Sequence, residues 1–123
     1  MPQFDLVVAT ADWHPADHCS FAATHPGKKP FDQVEVAGQP QTLWPVHCVQ
    51  NTGGALFAPS LDTRRIERVF PKGTNPRIDS YSGFFDNGHR STTGLSSASL
   101  KSSAVVLRSF GPQSWSFWWL SST

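Results

Sequence analysis

The chain has little charge of either sign. Charged residues make up 15% of its 123 residues, the net charge is +1 and the sequence pI is near 7.9. A nearly neutral chain offers no basic surface for nucleic acid and no charged face for an anionic surface. The composition therefore argues against nucleic-acid binding and indicates one small domain.

Long apolar runs are missing as well. No stretch approaches the roughly 18 apolar residues that a membrane-spanning helix needs. The first residues show neither the basic region nor the apolar core of a signal peptide. We therefore expect a cytoplasmic protein without a membrane partner.

Cysteine is scarce, with only Cys19 and Cys48 present. One pair is no disulfide framework, and the cytosol keeps thiols reduced. Each cysteine directly follows a histidine, so one interpretation is that a thiolate joins a metal site. We favour the other interpretation, two small buried side chains.

A short apolar run leads into the most informative stretch of the chain. Residues 6–9 (LVVA) show no polar alternation, which predicts a strand buried on both faces. Asp12, His14 and His18 follow with the spacing D-x-H-x₃-H, and Pro15 stops further strand pairing. Side chains at the carboxyl end of a parallel strand face the crevice where α/β sheets bind small molecules.

One aspartate and two histidines suit zinc, iron or manganese better than calcium or magnesium. A further imidazole, His47, lies 47 − 18 = 29 residues after His18 and can complete the set. We therefore predict one divalent metal ion held by Asp12, His14, His18 and His47. The alternative is that these polar side chains only cap a strand end.

Four ordered segments resemble the nicotinamidase/pyrazinamidase family. They are residues 12–18 (DWHPADH), 44–48 (WPVHC), 69–74 (VFPKGT) and 79–85 (DSYSGFF). The resemblance runs from about Phe4 to Leu95, and four motifs in order are far more specific than one. It implies the α/β fold class, as a fragment of a doubly wound parallel-sheet hydrolase of the isochorismatase-like superfamily.

The resemblance also implies a function, the hydrolysis of nicotinamide to nicotinate and ammonia in NAD salvage. In that family a cysteine thiolate attacks the carboxamide, an aspartate moves the protons, and the metal orients the pyridine ring. A small carboxamide is thus the expected partner. Carried onto this chain, the resemblance assigns the metal to Asp12, His14, His18 and His47, the substrate ring to Trp44 and Tyr81, and a catalytic role beside the thiolate to Lys72.

Two catalytic groups of that family find no match. Cys19 and Cys48 each neighbour a predicted ligand, and Asp5 precedes the strand instead of ending it. We expect the metal- and substrate-binding half to be present, and the activity of this chain alone is left open. The alternatives are a non-catalytic metal- or nicotinamide-binding remnant and another amidohydrolase of the same fold.

The chain divides into two parts of different character. Residues 1–95 are expected to form the central part of the hydrolase domain, truncated at both ends relative to the family. Residues 96–123 hold ten serines, three tryptophans and no acidic side chain. In this tail we expect a short strand at 104–107 and an aromatic run at 116–120 without a partner. Our hypothesis is that the tail is read out of frame; membrane anchoring by its tryptophans is a weaker one.

Overall fold

A computed structural model describes residues 6–97, 104–110 and 114–120. Within these ranges the regular structure consists of strands and short 3₁₀ turns, and no α-helix is present. The turns are Ala22–Thr24, Gly53–Ala55 and Leu95–Ser97. The strands are β1 (Leu6–Asp12), β2 (Gln33–Val36), β3 (Gln39–Thr42), β4 (Ile66–Lys72), β5 (Ala104–Phe110) and β6 (Ser114–Leu120).

Strand β1 is one of the two inner strands of the four-stranded sheet. The strand order is β4-β1-β5-β6, and β1 pairs in parallel with both of its neighbours. Every residue from Val7 to Asp12 is buried, which confirms the strand predicted from the missing polar alternation. Its alternating side chains enter two clusters, Val7 and Ala9 with Phe57, Leu61 and Ile66, and Val8 with Leu6, Phe70, Phe84 and Leu95.

The parallel pairing of β4, β1 and β5 confirms the predicted fold class, because such sheets belong to α/β domains. The connection from β1 to β4, residues 13–65, holds the β2–β3 hairpin and two of the 3₁₀ turns. Most of the candidate site lies on this connection. No helix in the described ranges has the length and apolar character needed to cross a bilayer.

A tight turn closes the β2–β3 hairpin. Ala37 and Gly38 both have positive φ, at 51° and 76°, which is typical of a two-residue type I′ connection. Among the eight residues of the two strands, only Gln41 is buried. The hairpin is therefore largely exposed and attached to the domain through few side chains.

The tail pairs with the sheet more extensively than the sequence predicted. Strand β5 covers seven residues instead of four and lies in parallel with β1. The aromatic run, expected to lack a partner, forms the backbone of β6 and pairs antiparallel with β5. The valine-, phenylalanine- and tryptophan-rich composition of both segments favours strands, which accounts for the difference.

Candidate metal centre

The carboxyl ends of β1 and β4 bring Asp12 and Lys72 side by side. The strand register pairs these two residues directly, and both side chains are at most 3% exposed. Lys72 Nζ donates to Asp12 Oδ1 and to the carbonyl oxygen of Ser80, the latter at 2.8 Å. The ammonium and the carboxylate thus neutralise each other at the polar edge of the sheet, where an isolated charge would be costly.

His14 lies just beyond β1, and its backbone is fixed by the loop at residues 48–50. Its N–H donates to the carbonyl of Cys48 at 2.9 Å, and its carbonyl accepts from Gln50 at 2.8 Å. The ring Nδ1 lies 2.8 Å from the carbonyl oxygen of Gly73, to which it donates in the Nδ1–H tautomer. That tautomer leaves a lone pair on Nε2, the usual arrangement of a metal-ligating histidine.

Gly73 makes this contact possible. Its φ is 63°, in the left-handed region that favours glycine. A Cβ at this position would lie 2.6 Å from His14 Nδ1, too close for any real contact. The sequence therefore needs glycine directly after Lys72 for the imidazole to reach the site.

The ring of His14 contacts the rings of both other histidines, one tilted and one edge to face. The ring centroid of His14 lies 4.1 Å from that of His18 and 4.9 Å from that of His47. His47 Nδ1 lies 2.7 Å from the carbonyl of Pro45, and His18 Nδ1 lies 2.8 Å from Ser20 Oγ. The His47 contact is compatible with an Nδ1–H tautomer, which frees Nε2 for a metal ion, whereas His18 Nδ1 also accepts from the backbone N–H of Ser20 at 3.3 Å.

Burial keeps two of these imidazoles neutral. It lowers the pKa of His14, and it lowers the pKa of His18 to about 4 with a further contribution from the neighbouring His14. A ligating histidine must be unprotonated, so these shifts favour metal binding at neutral pH. The buried Nε2 atom of His18 also lacks a hydrogen-bond partner within the described part of the chain.

The side chains define two overlapping sets of ligand atoms, and within each set the atoms lie within 4.8 Å of one another. One set is Asp12, His14 and His47, and the other is His14, His18 and Asp79. Both are two-histidine, one-carboxylate sets, which suit zinc or iron, and the unpartnered His18 Nε2 fits the same conclusion. The residues present therefore fit a divalent transition-metal ion.

The structure brings together most of the predicted ligands, although not as one set. Asp12, His14 and His47 converge, whereas His18 reaches the cluster through His14 and Asp79. Asp79 was not predicted as a ligand, although it opens the fourth motif. The available signal was an acidic residue at the start of that motif. The position of Asp79 beside the histidines depends on the fold of the loop after β4.

Trp44 and Tyr81 contact each other through a side-chain hydrogen bond, and Tyr81 lies near Asp79. The backbone of Trp44 pairs with the segment around Phe21, where its N–H donates to the carbonyl of Ser20 at 2.7 Å. The Tyr81 hydroxyl accepts a hydrogen bond from Gln41 at 3.2 Å, and its side chain stays 40% exposed. Burial raises the pKa of Tyr81, against hydrogen bonds from Trp44 and Gln41. Two aromatic side chains predicted to contact a substrate ring are therefore neighbours.

Neither cysteine has the properties of a nucleophile. Burial and the nearby carboxylate of Asp79 raise the pKa of Cys19 to about 11. Cys48 is 1% exposed and has a φ of 47°. Because the thiolate is the reactive form, these surroundings disfavour attack on a substrate by either residue.

The parallel sheet and its histidine- and carboxylate-bearing edge define an α/β domain with a candidate metal centre at the carboxyl ends of its strands. The chain is similar to the nicotinamidases of Escherichia coli (strain K12), with 53% identity over 91 residues, and Acinetobacter baylyi, with 47% over 92 residues. These matches cover 74% and 75% of this chain but only 42% and 43% of the relatives. The chain thus spans less than half the length of these relatives.

Solved structures give the same result. An Acinetobacter baumanii nicotinamidase/pyrazinamidase matches with a TM-score of 0.78 and 44% identity, over 85% of this chain and 52% of its own. The yeast nicotinamidase Pnc1p bound to nicotinaldehyde matches with a TM-score of 0.75 and 28% identity, over 89% of this chain and 57% of its own. A zinc complex of Pyrococcus horikoshii pyrazinamidase matches with a TM-score of 0.52 and 30% identity, over 85% of this chain and 47% of its own.

No protein-family model matches the chain. The sequence relatives and the solved structures nevertheless agree, since both are nicotinamidases. The chain belongs to the nicotinamidase/pyrazinamidase family. This confirms the resemblance inferred from the four motifs.

Proposed function

We propose that this chain supplies the metal- and pyridine-binding part of a nicotinamidase site and acts in the hydrolysis of nicotinamide to nicotinate and ammonia. The observation that carries the proposal is the convergence of Asp12, His14 and His47 at the sheet edge beside the unpartnered Nε2 of His18. Related structures hold nicotinaldehyde or zinc, which supports a pyridine carbonyl ligand and a divalent cation here.

The proposed ligands of the cation are Asp12, His14 and His47, with His18 on the adjoining side. A bound divalent cation at such a site acts as a Lewis acid that orients the ring through its nitrogen. Zinc, iron and manganese all fit this donor set, and the choice among them stays a prediction.

The remaining roles follow from the neighbours of the cluster. Trp44 and Tyr81 are proposed to pack against the pyridine ring, since aromatic faces bind planar rings well. Lys72 is proposed to act on the carboxamide side, where a buried ammonium stabilises negative charge that develops during acyl transfer. Its carboxylate partner Asp12 holds it at this position.

A second candidate function is the binding of a metal ion or nicotinamide without turnover. The raised pKa of Cys19 and the burial of Cys48 favour it, because the reaction needs a thiolate that neither residue supplies. This second candidate predicts that substrate binding is retained and that turnover by this chain alone is close to a blank. A cytoplasmic location and a place in NAD salvage are parts of the same proposal.

Calorimetric titration with zinc tests the cation site. We expect one-to-one binding by the wild-type chain and by the control variant His89→Ala, whose histidine is exposed and outside the cluster. The His47→Ala variant should bind zinc about tenfold more weakly or worse. Equal zinc affinity for wild type and His47→Ala would contradict the proposed ligand set.

Nicotinate titrated into the zinc-loaded chain tests the pyridine site, and ammonia release from nicotinamide tests turnover. Nicotinate should bind the wild-type chain, and the Trp44→Ala variant should bind it about tenfold more weakly. Zinc binding without nicotinate binding would reduce the function to metal binding. Ammonia release well above a blank would show that the chain has a nucleophile we have not recognised.

A further inference from the structure

The β2–β3 hairpin places a single buried side chain against the domain, and that side chain is polar. Gln41 is 2% exposed, while the other residues of both strands are half-buried or exposed. Burying a side-chain amide costs free energy unless its N–H groups donate hydrogen bonds. The partners of Gln41 therefore show what the hairpin is attached to.

All of the observed partners of Gln41 Nε2 are oxygen atoms. They are the carbonyl of Thr42 at 2.7 Å, Asp79 Oδ2 at 3.1 Å and the Tyr81 hydroxyl at 3.2 Å. Three acceptors around one end of the amide identify that end as the nitrogen. The two hydrogens of the NH₂ group are shared among these three acceptors, of which the carboxylate is a stronger acceptor than the hydroxyl.

Asp79 connects this amide to the metal centre. Its Oδ1 accepts from the backbone N–H of Ser80 at 2.8 Å, and its Oδ2 accepts from Gln41. Both oxygens are thus fixed, although each keeps a second lone pair. A carboxylate oxygen of Asp79 lies within 4.8 Å of ligand atoms of His14 and His18. The orientation of Asp79 toward these histidines therefore depends on a side chain from the hairpin.

We propose that Gln41 is a positioning residue of the metal centre, holding the Asp79 carboxylate against His14 and His18 and so tying the hairpin to the cation site. The inference rests on the cation site proposed above. Groups that orient metal-facing carboxylates are worth about 10- to 100-fold in metal affinity. Gln41 acts through Asp79 and does not itself contact the cation.

Zinc titration of the full chain tests this role. The Gln41→Met variant keeps a similar volume but donates no hydrogen bond, and we expect its zinc affinity to fall about tenfold. Gln39→Met is the matched control, since Gln39 lies on the same strand and is exposed. Its zinc affinity should stay within about twofold of wild type.

A double-mutant cycle separates positioning from a general effect on the hairpin. In the Asp79→Ala background, Gln41→Met should change zinc affinity by less than about twofold. An undiminished tenfold loss in that background would overturn the inference. If Gln41→Met does not fold by circular dichroism, Gln41→Asn, which is one methylene too short to reach Asp79, should show the same loss.

The outcomes distinguish this inference from the function on which it rests. Zinc binding by wild type with equal affinities for Gln41→Met and Gln39→Met would overturn the role of Gln41 and leave the cation site intact. A wild-type chain that binds no zinc would overturn both. A tenfold loss confined to chains that retain Asp79 would support both.

Discussion

Strands β1 and β4 have the same length and direction and lie side by side, yet they differ in burial. Six of the seven residues of β1 are buried, whereas β4 buries only Phe70 and Lys72. The difference follows from position, since β1 has a neighbour on each side and β4 is an edge strand. Pro71 is tolerated in β4 for the same reason, because edge strands accommodate proline. The candidate metal centre lies where a buried inner strand and a more exposed edge strand end together.

The largest loss of zinc affinity is expected at His14, which follows β1 and belongs to both ligand sets. We expect the His14→Ala variant to lose zinc affinity by at least about 100-fold, because neither set keeps two histidines. Titration calorimetry measures this loss. Zinc affinity within a few-fold of wild type would mean that the cation binds without His14.

On the β4 side, we expect the largest loss of unfolding free energy at Gly73, directly after the strand. An alanine there forces a positive φ on a side chain and collides with the His14 ring, so we expect a loss of about 3 kcal/mol in unfolding free energy. Gly27→Ala is the matched control, since Gly27 has a φ of 74° but no atom within 4 Å of the added Cβ. Denaturant unfolding of both variants isolates the collision, and equal losses would show that it is absent.

Truncating one valine on each strand sharpens the comparison. Val8 of β1 is 0% exposed and Val69 of β4 is 46% exposed. We expect Val8→Ala to cost about 2 kcal/mol of unfolding free energy and Val69→Ala less than about 0.5 kcal/mol. Urea unfolding checks both values, and similar losses would contradict the assignment of β4 as the exposed edge.

Asp86 fixes the loop that follows β4 through hydrogen bonds from residues 88, 90 and 91. Burial opposes its ionisation, but hydrogen bonds from Ser91, Arg90 and Gly88 outweigh burial and lower its pKa. A carboxyl with a lowered folded pKa contributes stability above its unfolded pKa near 3.8 and loses it as pH falls through the folded value. We expect Asp86→Asn to cost about 1 kcal/mol at pH 7, with the difference shrinking below about pH 4. A melting difference unchanged between pH 7 and pH 3 would argue against this account.

The sequence predicted best what lies close to β1. The unalternated apolar run identified the inner strand, and the spacing after it placed Asp12 and His14 at its end, as the structure shows. The ligand roles themselves stay predictions until a metal titration is made. Lys72 was singled out through its motif, but its direct pairing with Asp12 requires the register of two strands 60 residues apart.

What the sequence did not reveal depends on distant contacts. Asp79 and Gln41 lie in a loop and a hairpin whose placement no local pattern encodes, and their contact spans 38 residues. The partner of β5 in the sheet was missed because its pairing with β1 is a long-range choice, whereas the pairing of β6 with β5 is local in sequence. Whether the tail is read out of frame stays a hypothesis, which the other reading frames of the coding DNA after Leu95 can test.

The pairing of Asp12 with Lys72 has a consequence for how such a chain would acquire the proposed ion. With its carboxylate already matched by an ammonium, Asp12 needs no external cation to balance its charge. Assembly of the sheet and loading of the metal are then separable events, unlike in zinc fingers, where the ion drives folding. A chelator should strip the ion from this chain and leave its cooperative melting in place.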